Sequence, residues 1–405
     1  MSDKKNICII TGNALPVPAV QGGAVETLLT NLMEENERKQ KAHFTVFSKE
    51  DPKAKEAAKK YAHTSVIYVP EDTKFDKINN RIRRYLTQWI CPGAWLDGGY
   101  YRKIYGMMLD MEKRGERIDA IVCEGGLLHE FRVFAKHWGR EKLYVHVHHH
   151  LPAEKSFDGI FGHMIAVSEF AKSEWMRTTA YPDTDATVVY NCVDEEKFNR
   201  RISEERREEL RRTLGIAPED FCVLYCGRMQ EVKGVRELLQ AFARITLPNI
   251  KLLMIGNADF GTDSLTPFLR EVRELVEQDK ERIKFTGYID HGELYQYYQC
   301  ANLQIVPSMW EEAAGLVAIE GMLSGLPLIV TKSGGLIEYA PETVAKWVDR
   351  GQIVDQLVQA MEDCYSNPEE LQEMKKKSVE YSRKFRKEVY YDSYLNCMKE
   401  GENVV

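Results

Sequence analysis

The strongest constraint on this chain is its rhythm: short apolar runs alternate, almost end to end, with longer amphipathic stretches. In the first half the runs predict strands at Asn6–Thr11, Phe44–Phe47, Ser65–Val69, Ala120–Cys123, Leu143–His148, Met164–Val167 and Thr187–Tyr190. In the second half they predict strands at Cys222–Cys226, Lys251–Ile255, Ile283–Phe285, Leu303–Val306, Leu328–Val330 and Val344–Val348. Helical periodicity fills the gaps, as at Val25–Arg38, Val235–Arg244, Leu265–Val276 and Ile353–Tyr365. Alternation of this kind builds parallel sheets with helices on both faces. The strands are too many for one compact open sheet, and the charged segment Asp194–Arg212 divides them. The expectation is therefore α/β, with two doubly wound Rossmann-like domains at 1–198 and 199–384. A single barrel is the alternative. It is disfavoured because glycine-rich turns follow particular strands in each half, as in nucleotide-binding sheets.

The tail, Glu369–Lys399, reads as helical and carries Tyr381, Phe385, Tyr390, Tyr391 and Tyr394. That aromatic density implies docking onto the body of the protein. The C-terminal helix within 385–405 either caps its own domain or crosses back to the first one.

Composition narrows the function classes. The 405 residues suffice for about two to three domains. With 55 Lys+Arg against 62 Asp+Glu, the net charge of -7 argues against a nucleic-acid partner bound through overall basicity. No run of about 18 apolar residues predicts a membrane span. The start, MSDKKNICIITG, does not read as a signal peptide. The nine cysteines are scattered and form no Cys-x-x-Cys pair, which suits reduced thiols in a cytoplasmic protein.

Six constellations could carry chemistry. Gly22-Gly23 opens the first long helix, where paired glycines admit a close ligand and the helix N-terminus favours an anion. Gly227-Arg228, Lys233 and Gly234 follow a strand end, an arrangement that suits a diphosphate. Single surface cations are ordinarily just solvated; the flanking glycines and the position at a sheet end distinguish these. Pro307–Gly315 leads into a helix containing Glu320. Glu312 and Glu320 are eight apart, about 80° out of phase on one helix. The spacing therefore places Glu312 in the loop and Glu320 on the helix, each holding a different hydroxyl-bearing part of one ligand. Gly315, Leu316 and Val317 would offer backbone N–H groups to an anion. Gly334-Gly335 is a further strand-end glycine turn, with Glu338 close behind.

The run Leu143–His150 puts His146 and His148 on one face of a strand. No Cys, Asp or Glu stands at matching metal spacing, so no metal is expected, and a histidine at a strand end is the better reading. Finally, Lys77–Ile90 carries an apolar stripe of Ile78, Ile82, Tyr85, Leu86 and Trp89 beside Lys77, Arg81, Arg83 and Arg84. Such a helix either lies on an anionic membrane or packs on its own domain with a solvated basic face.

In this order, these residues resemble the retaining glycosyltransferases of family four, which have the GT-B fold of two Rossmann-like domains facing across a cleft. The resemblance covers nearly the whole chain. It is most specific in GRMQEVKG and in the stretch from IKFTGYID through PSMWEEAAGLVAIEG to TKSGGLIE. In the first half Gly22-Gly23, Val167-Ser168-Glu169 and Asn191-Cys192-Val193-Asp194 also match. Cys192 stands where the family usually has Gly, and Ala313-Ala314 where it often has Pro-Phe.

The resemblance implies donor binding by the second domain and acceptor binding by the first. Gly227, Arg228 and Lys233 would hold the diphosphate, and Gly22 and Gly23 would border it from across the cleft. Glu312 would sit by the donor sugar and Glu320 by the ribose hydroxyls, with Gly315, Leu316 and Val317 giving backbone contacts. His148 best matches the family's active-site histidine, with His146 as runner-up.

The expected function is a retaining hexosyltransferase of cell-envelope or capsule polysaccharide synthesis. Its donor is a nucleotide-diphosphate sugar, UDP before GDP, its acceptor a glycan or lipid-linked molecule, and it uses no cofactor. It would be cytoplasmic, with a peripheral position on the inner face of the membrane through Lys77–Ile90. The alternatives are a sugar-nucleotide epimerase or phosphorylase on the same fold, or a non-catalytic sugar-nucleotide-binding partner.

Overall fold

The computed structural model describes residues 4–89, 99–149, 159–178, 185–257 and 266–400. By its internal contacts the chain forms two compact units. The first comprises Met1–Asn191 together with Lys387–Val405, and the second Cys192–Arg386. The division thus falls seven residues before the expected 198/199 boundary. The charged helices Glu195–Phe198 and Glu204–Thr213 belong to the second unit.

The first unit is built on a seven-stranded parallel sheet. Its strands are β1 (Lys5–Ile10), β2 (Ala42–Lys49), β3 (Thr64–Val69), β4 (Ala120–Cys123), β5 (Leu143–Val147), β6 (His163–Ala166) and β7 (Ala186–Val188). They lie in the order β3-β2-β1-β4-β5-β6-β7. The central strands β4 and β5 are buried at every residue, as strands covered on both faces must be. The edge strand β3 is only half-buried and alternates less cleanly.

The second unit holds a six-stranded sheet. Its strands are β8 (Phe221–Cys226), β9 (Ile250–Ile255), β10 (Ile283–Gly287), β11 (Leu303–Val306), β12 (Leu328–Thr331) and β13 (Ala345–Val348). They lie in the order β10-β9-β8-β11-β12-β13, every pairing parallel. Its core joins Val223, Leu252, Leu303 and Ile329 from the sheet to Leu238, Phe242, Leu357 and Met361 from the helices. All eight are fully buried. These are two doubly wound Rossmann-like units.

Helix ends follow local chemistry. One helix of the second unit runs Pro267–Gln278, not Leu265–Val276. Thr266 accepts the Leu269 N–H at 3.1 Å as N-cap, and Pro267 takes the first helical position, where its missing N–H costs nothing. The aromatic tail divides. Phe385 stacks on Tyr339 in the second unit, with ring centroids 5.1 Å apart. The helix Lys387–Glu400 instead packs on the helix Ala24–Lys39 of the first unit. Tyr391 donates to Asn36 Oδ1 at 2.7 Å, and Asp392 pairs with Lys39 and Lys41, each at 2.8 Å.

Candidate active site

In an open parallel sheet, ligands sit beyond the C-terminal strand ends at the point where neighbouring connections leave in opposite directions. In the second unit that point lies between β8 and β11, and the loops leaving these two strands carry most of the expected residues. Gly227 and the exposed Arg228 follow β8 directly, and a 3-10 turn at Glu231–Lys233 precedes the helix Val235–Arg244. Gly234 joins turn to helix with φ 69°, and a Cβ there would lie 1.8 Å from the Pro307 carbonyl oxygen. Only glycine lets this loop close onto the end of β11. The Met309 N–H then donates to the Val232 carbonyl at 2.9 Å and fastens the two loops together.

This closure sets the charges. Lys233 Nζ lies 2.6 Å from Glu312 Oε1, and the Ser308 hydroxyl donates to the same oxygen. Glu312 is in the loop before the helix Leu316–Leu323, and its carbonyl accepts the Gly335 N–H at 2.6 Å. The Gly334-Gly335 turn therefore supports the Glu312 loop. Gly315 is the N-cap, so the N–H groups of Leu316 and Val317 belong to the first turn, which has no acceptors within its own helix. Glu320 lies one turn further, buried. Its Oε2 accepts from Tyr298 at 2.8 Å and its Oε1 from His291 Nε2 at 3.1 Å. Lys197 Nζ lies 2.6 Å from His291 Nδ1. An ammonium can only donate, so His291 carries its proton on Nε2, towards Glu320. Burial pulls the Lys197 ammonium below its ordinary value, against the attraction of Glu320, Asp194 and Asp290.

Two of these contacts add to the sequence expectations. Lys233, assigned to a diphosphate, is paired with Glu312, assigned to the sugar. Glu320, assigned to the ribose, already holds His291 and Tyr298. Neither His291 nor Tyr298 has a signature in one sequence; their role comes from folding. Ser308 lies only four residues before Glu312 in PSMWEE, and that closeness was the available signal.

In the first unit the switch point lies between β1 and β4. Gly22 (φ 79°) and Gly23 (φ 98°) end the loop after β1, and Gly23 is the N-cap of the helix Ala24–Lys39. His146 and His148 do share one side of β5, with ring centroids 3.9 Å apart. His148 stands just past the strand's C-terminal end; His150 lies outside the described residues.

The sequence shows no Cys, Asp or Glu at metal spacing from these histidines, but the fold brings one carboxylate to them. Glu124, directly after β4, is fully buried between them. Its Oε2 accepts from His146 Nδ1 at 3.0 Å and from His148 Nε2 at 2.6 Å. Its Oε1 accepts from Tyr394 at 3.1 Å. Sequence spacing could not show this, because β4 and β5 are neighbours in the sheet and not in the chain. A strand end followed by Gly125-Gly126 was a usable signal, the same one that marked Gly22-Gly23. The three donor atoms lie within 4.8 Å of one another, a set a metal ion could use. Their spacings are hydrogen-bond distances, and one shared carboxylate accounts for them.

Electrostatics fit that reading. Burial opposes ionisation of Glu124, but the attraction and hydrogen bonds of His146 and His148 outweigh it and hold the carboxyl far below its usual range. Burial and the neighbouring His146 push His148 down to about 4, against the pull of Glu124. Burial raises the nearby Glu26 carboxyl, and the Glu124 charge adds to the rise.

Residues 206–384 match the family model of glycosyl transferases group 1. An uncharacterised glycosyltransferase of Methanocaldococcus jannaschii is 27% identical over 201 residues. That alignment covers 46% of this chain and 50% of the relative, so the chain spans about half the length of that relative. A glycosyltransferase crystal structure from Rickettsia africae superposes over 100% of both chains with a TM-score of 0.78 at 19% identity. The Anabaena protein HepE in complex with UDP-glucose superposes with a TM-score of 0.72 at 18% identity, over 97% of this chain and 99% of that one. The segment that matches the glycosyl transferases group 1 family lies wholly within the second unit, and the chain has the GT-B fold.

Proposed function

We propose that this protein is a retaining hexosyltransferase. It would move a sugar from a nucleotide diphosphate, UDP before GDP, to a glycan or lipid-linked acceptor of cell-envelope or capsule polysaccharide synthesis. The observation that carries the reading is the convergence at the β8/β11 switch point of Lys233, Glu312 and the N-terminus of the helix Leu316–Leu323. A departing diphosphate needs positive charge fixed in place before it leaves. Arg228, Lys233 and the backbone N–H groups of Gly315, Leu316 and Val317 supply it here. Lys233 must then turn part of its ammonium from Glu312 to the phosphate, and Glu312 is left to face the sugar as positive character develops. Glu320, held by His291 and Tyr298, takes the ribose hydroxyls.

The leaving phosphate accepts the acceptor's proton on the face it departs from, so no protein nucleophile is required. His148 serves the acceptor, which the first unit binds. The HepE complex, on the same fold, holds UDP-glucose, which supports a UDP sugar as donor.

A donor-hydrolysis screen across sugar nucleotides tests the donor. Proton NMR of the transferred product tests the stereochemistry, which should match that of the donor, and chelator should leave transfer intact. An inverted linkage rejects the retaining mechanism. Conversion of donor with no acceptor identifies an epimerase instead.

A further inference from the structure

The Glu124 cluster reaches beyond the family resemblance. Three hydrogen-bond donors meet one buried carboxylate: His146 Nδ1 and His148 Nε2 on Oε2, and the Tyr394 hydroxyl on Oε1. A carboxylate accepting from three donors is held as the anion, and an anion can only accept. Each imidazole must therefore carry a proton on the nitrogen that faces Glu124. For His148, neutral at pH 7, the other nitrogen, Nδ1, then bears the lone pair. Nδ1 is buried and meets no hydrogen-bond partner among the described residues. Such a nitrogen is costly to leave unsatisfied and is matched by a donor, which for a sugar ligand means a hydroxyl group.

We propose that Glu124 is a positioning residue for His148: it fixes the ring as the Nε2–H tautomer, so that Nδ1 accepts a hydrogen bond from a hydroxyl of the acceptor. Tyr394 holds the second carboxylate oxygen and so makes the C-terminal helix Lys387–Glu400 part of the apparatus that sets the histidine. His146 balances the same oxygen from the strand interior. The inference rests on the reading of His148 as an active-site residue. It adds which nitrogen works, what keeps it so, and why a helix some 270 residues after Glu124 in sequence bears on turnover.

The test is the tautomer itself, read by long-range 1H–15N NMR of histidine-labelled protein at pH 7. Wild-type His148 should show protonated Nε2 and bare Nδ1. A protonated Nδ1, alone or in an imidazolium, overturns the proposal. In Glu124→Gln the side-chain amide can donate to Nε2 and transfer the ring proton to Nδ1. The expected result is a changed tautomer, kcat lower by about 10²-fold and an unchanged Kd for the nucleotide. Tyr394→Phe should lower kcat by about tenfold and leave the nucleotide Kd alone. Should Glu124→Gln fail to fold, the wild-type spectrum and Tyr394→Phe still decide. His148→Ala separates the two layers. Wild-type turnover there overturns the catalytic role of His148. Lost turnover there, with an unchanged tautomer in Glu124→Gln, overturns this inference alone.

Discussion

At the scale of single residues, the Lys233–Glu312 pair makes two substitutions differ in sign. Lys233→Ala removes a phosphate ligand and also leaves the Glu312 carboxylate, mostly buried beside Ser308, without its cation. Nucleotide affinity should fall by at least the roughly 1.5–3 kcal/mol of a hydrogen bond to a charged group. Glu312→Gln instead frees Lys233 for the diphosphate. Calorimetry should show nucleotide affinity unchanged or tighter, while turnover falls by about 10²–10³-fold. A Glu312→Gln enzyme that binds nucleotide more weakly would contradict the pairing.

The histidine cluster gives a pH dependence. His148 titrates at about 4 in the fold against an ordinary 6.5. Between those values the unfolded chain holds the proton and the folded one does not. Stability therefore rises with pH across that window and is lost as pH falls from about 6.5 towards 4. The lowered Glu124 acts in the same direction below its own ordinary value of 4.5. Denaturant melts at pH 7 and pH 5 should show this loss, and a smaller one in His148→Gln. Equal losses in both proteins would remove His148 as a cause.

At the scale of elements, the strands were legible because both faces of each sheet are covered, so a central strand must be an unbroken apolar run. Ala120–Cys123 and Leu303–Val306 were read to the residue. Edges and caps were less legible: β10 extends to Gly287, beyond its apolar run, and Thr266 moved a helix start by two residues. The glycine turns were legible as turns, but what each approaches was not. Gly234 is the clearest case, since its constraint is the carbonyl of Pro307, which lies far along the chain. Gly234→Ala should therefore act on both loops. Overpacking at such a contact costs about 1–3 kcal/mol. The melting temperature should fall and nucleotide affinity should weaken together, because the shift moves Lys233 away from Glu312. Thermal melts and a nucleotide titration check this; unchanged values in both would mean that the loops close without the contact.

At the scale of the whole molecule, the helix Lys74–Trp89 presents its faces in an unusual way. Its anchored side is polar: Asn80 is buried, donating to Asp72 at 2.8 Å and accepting from Arg102 at 2.6 Å, and Lys103 pairs with Asp72 at 3.0 Å. Its apolar residues face outwards, with Phe75 77%, Ile78 61%, Ile82 54% and Tyr85 66% exposed. Of the expected stripe, Ile78, Ile82 and Tyr85 therefore do not pack on the domain, and Phe75 extends the exposed row. The side chains of Arg84, Leu86 and Trp89, and residue Ile90, lie outside the described residues. Apolar side chains ordinarily turn to the core, so an exposed row at helical spacing beside Lys74, Lys77 and Arg81 suits an anionic membrane surface. No helix among the described residues is long and apolar enough to cross one. A lipid-linked acceptor would then be met at the surface that carries it. Each cation near such a surface adds about 1 kcal/mol, and the apolar row adds its burial among the acyl chains. The protein should co-sediment with anionic vesicles and be released in part by raised salt. Ile78→Ser combined with Ile82→Ser should lose vesicle binding with little change in melting temperature, since both residues are exposed. Turnover on a water-soluble acceptor should stay at the wild-type level in that variant, while turnover on a vesicle-borne acceptor falls. Equal binding of wild type and variant would assign the interaction to another surface. Binding by neither would leave the stripe without a membrane role and make the acceptor a soluble glycan.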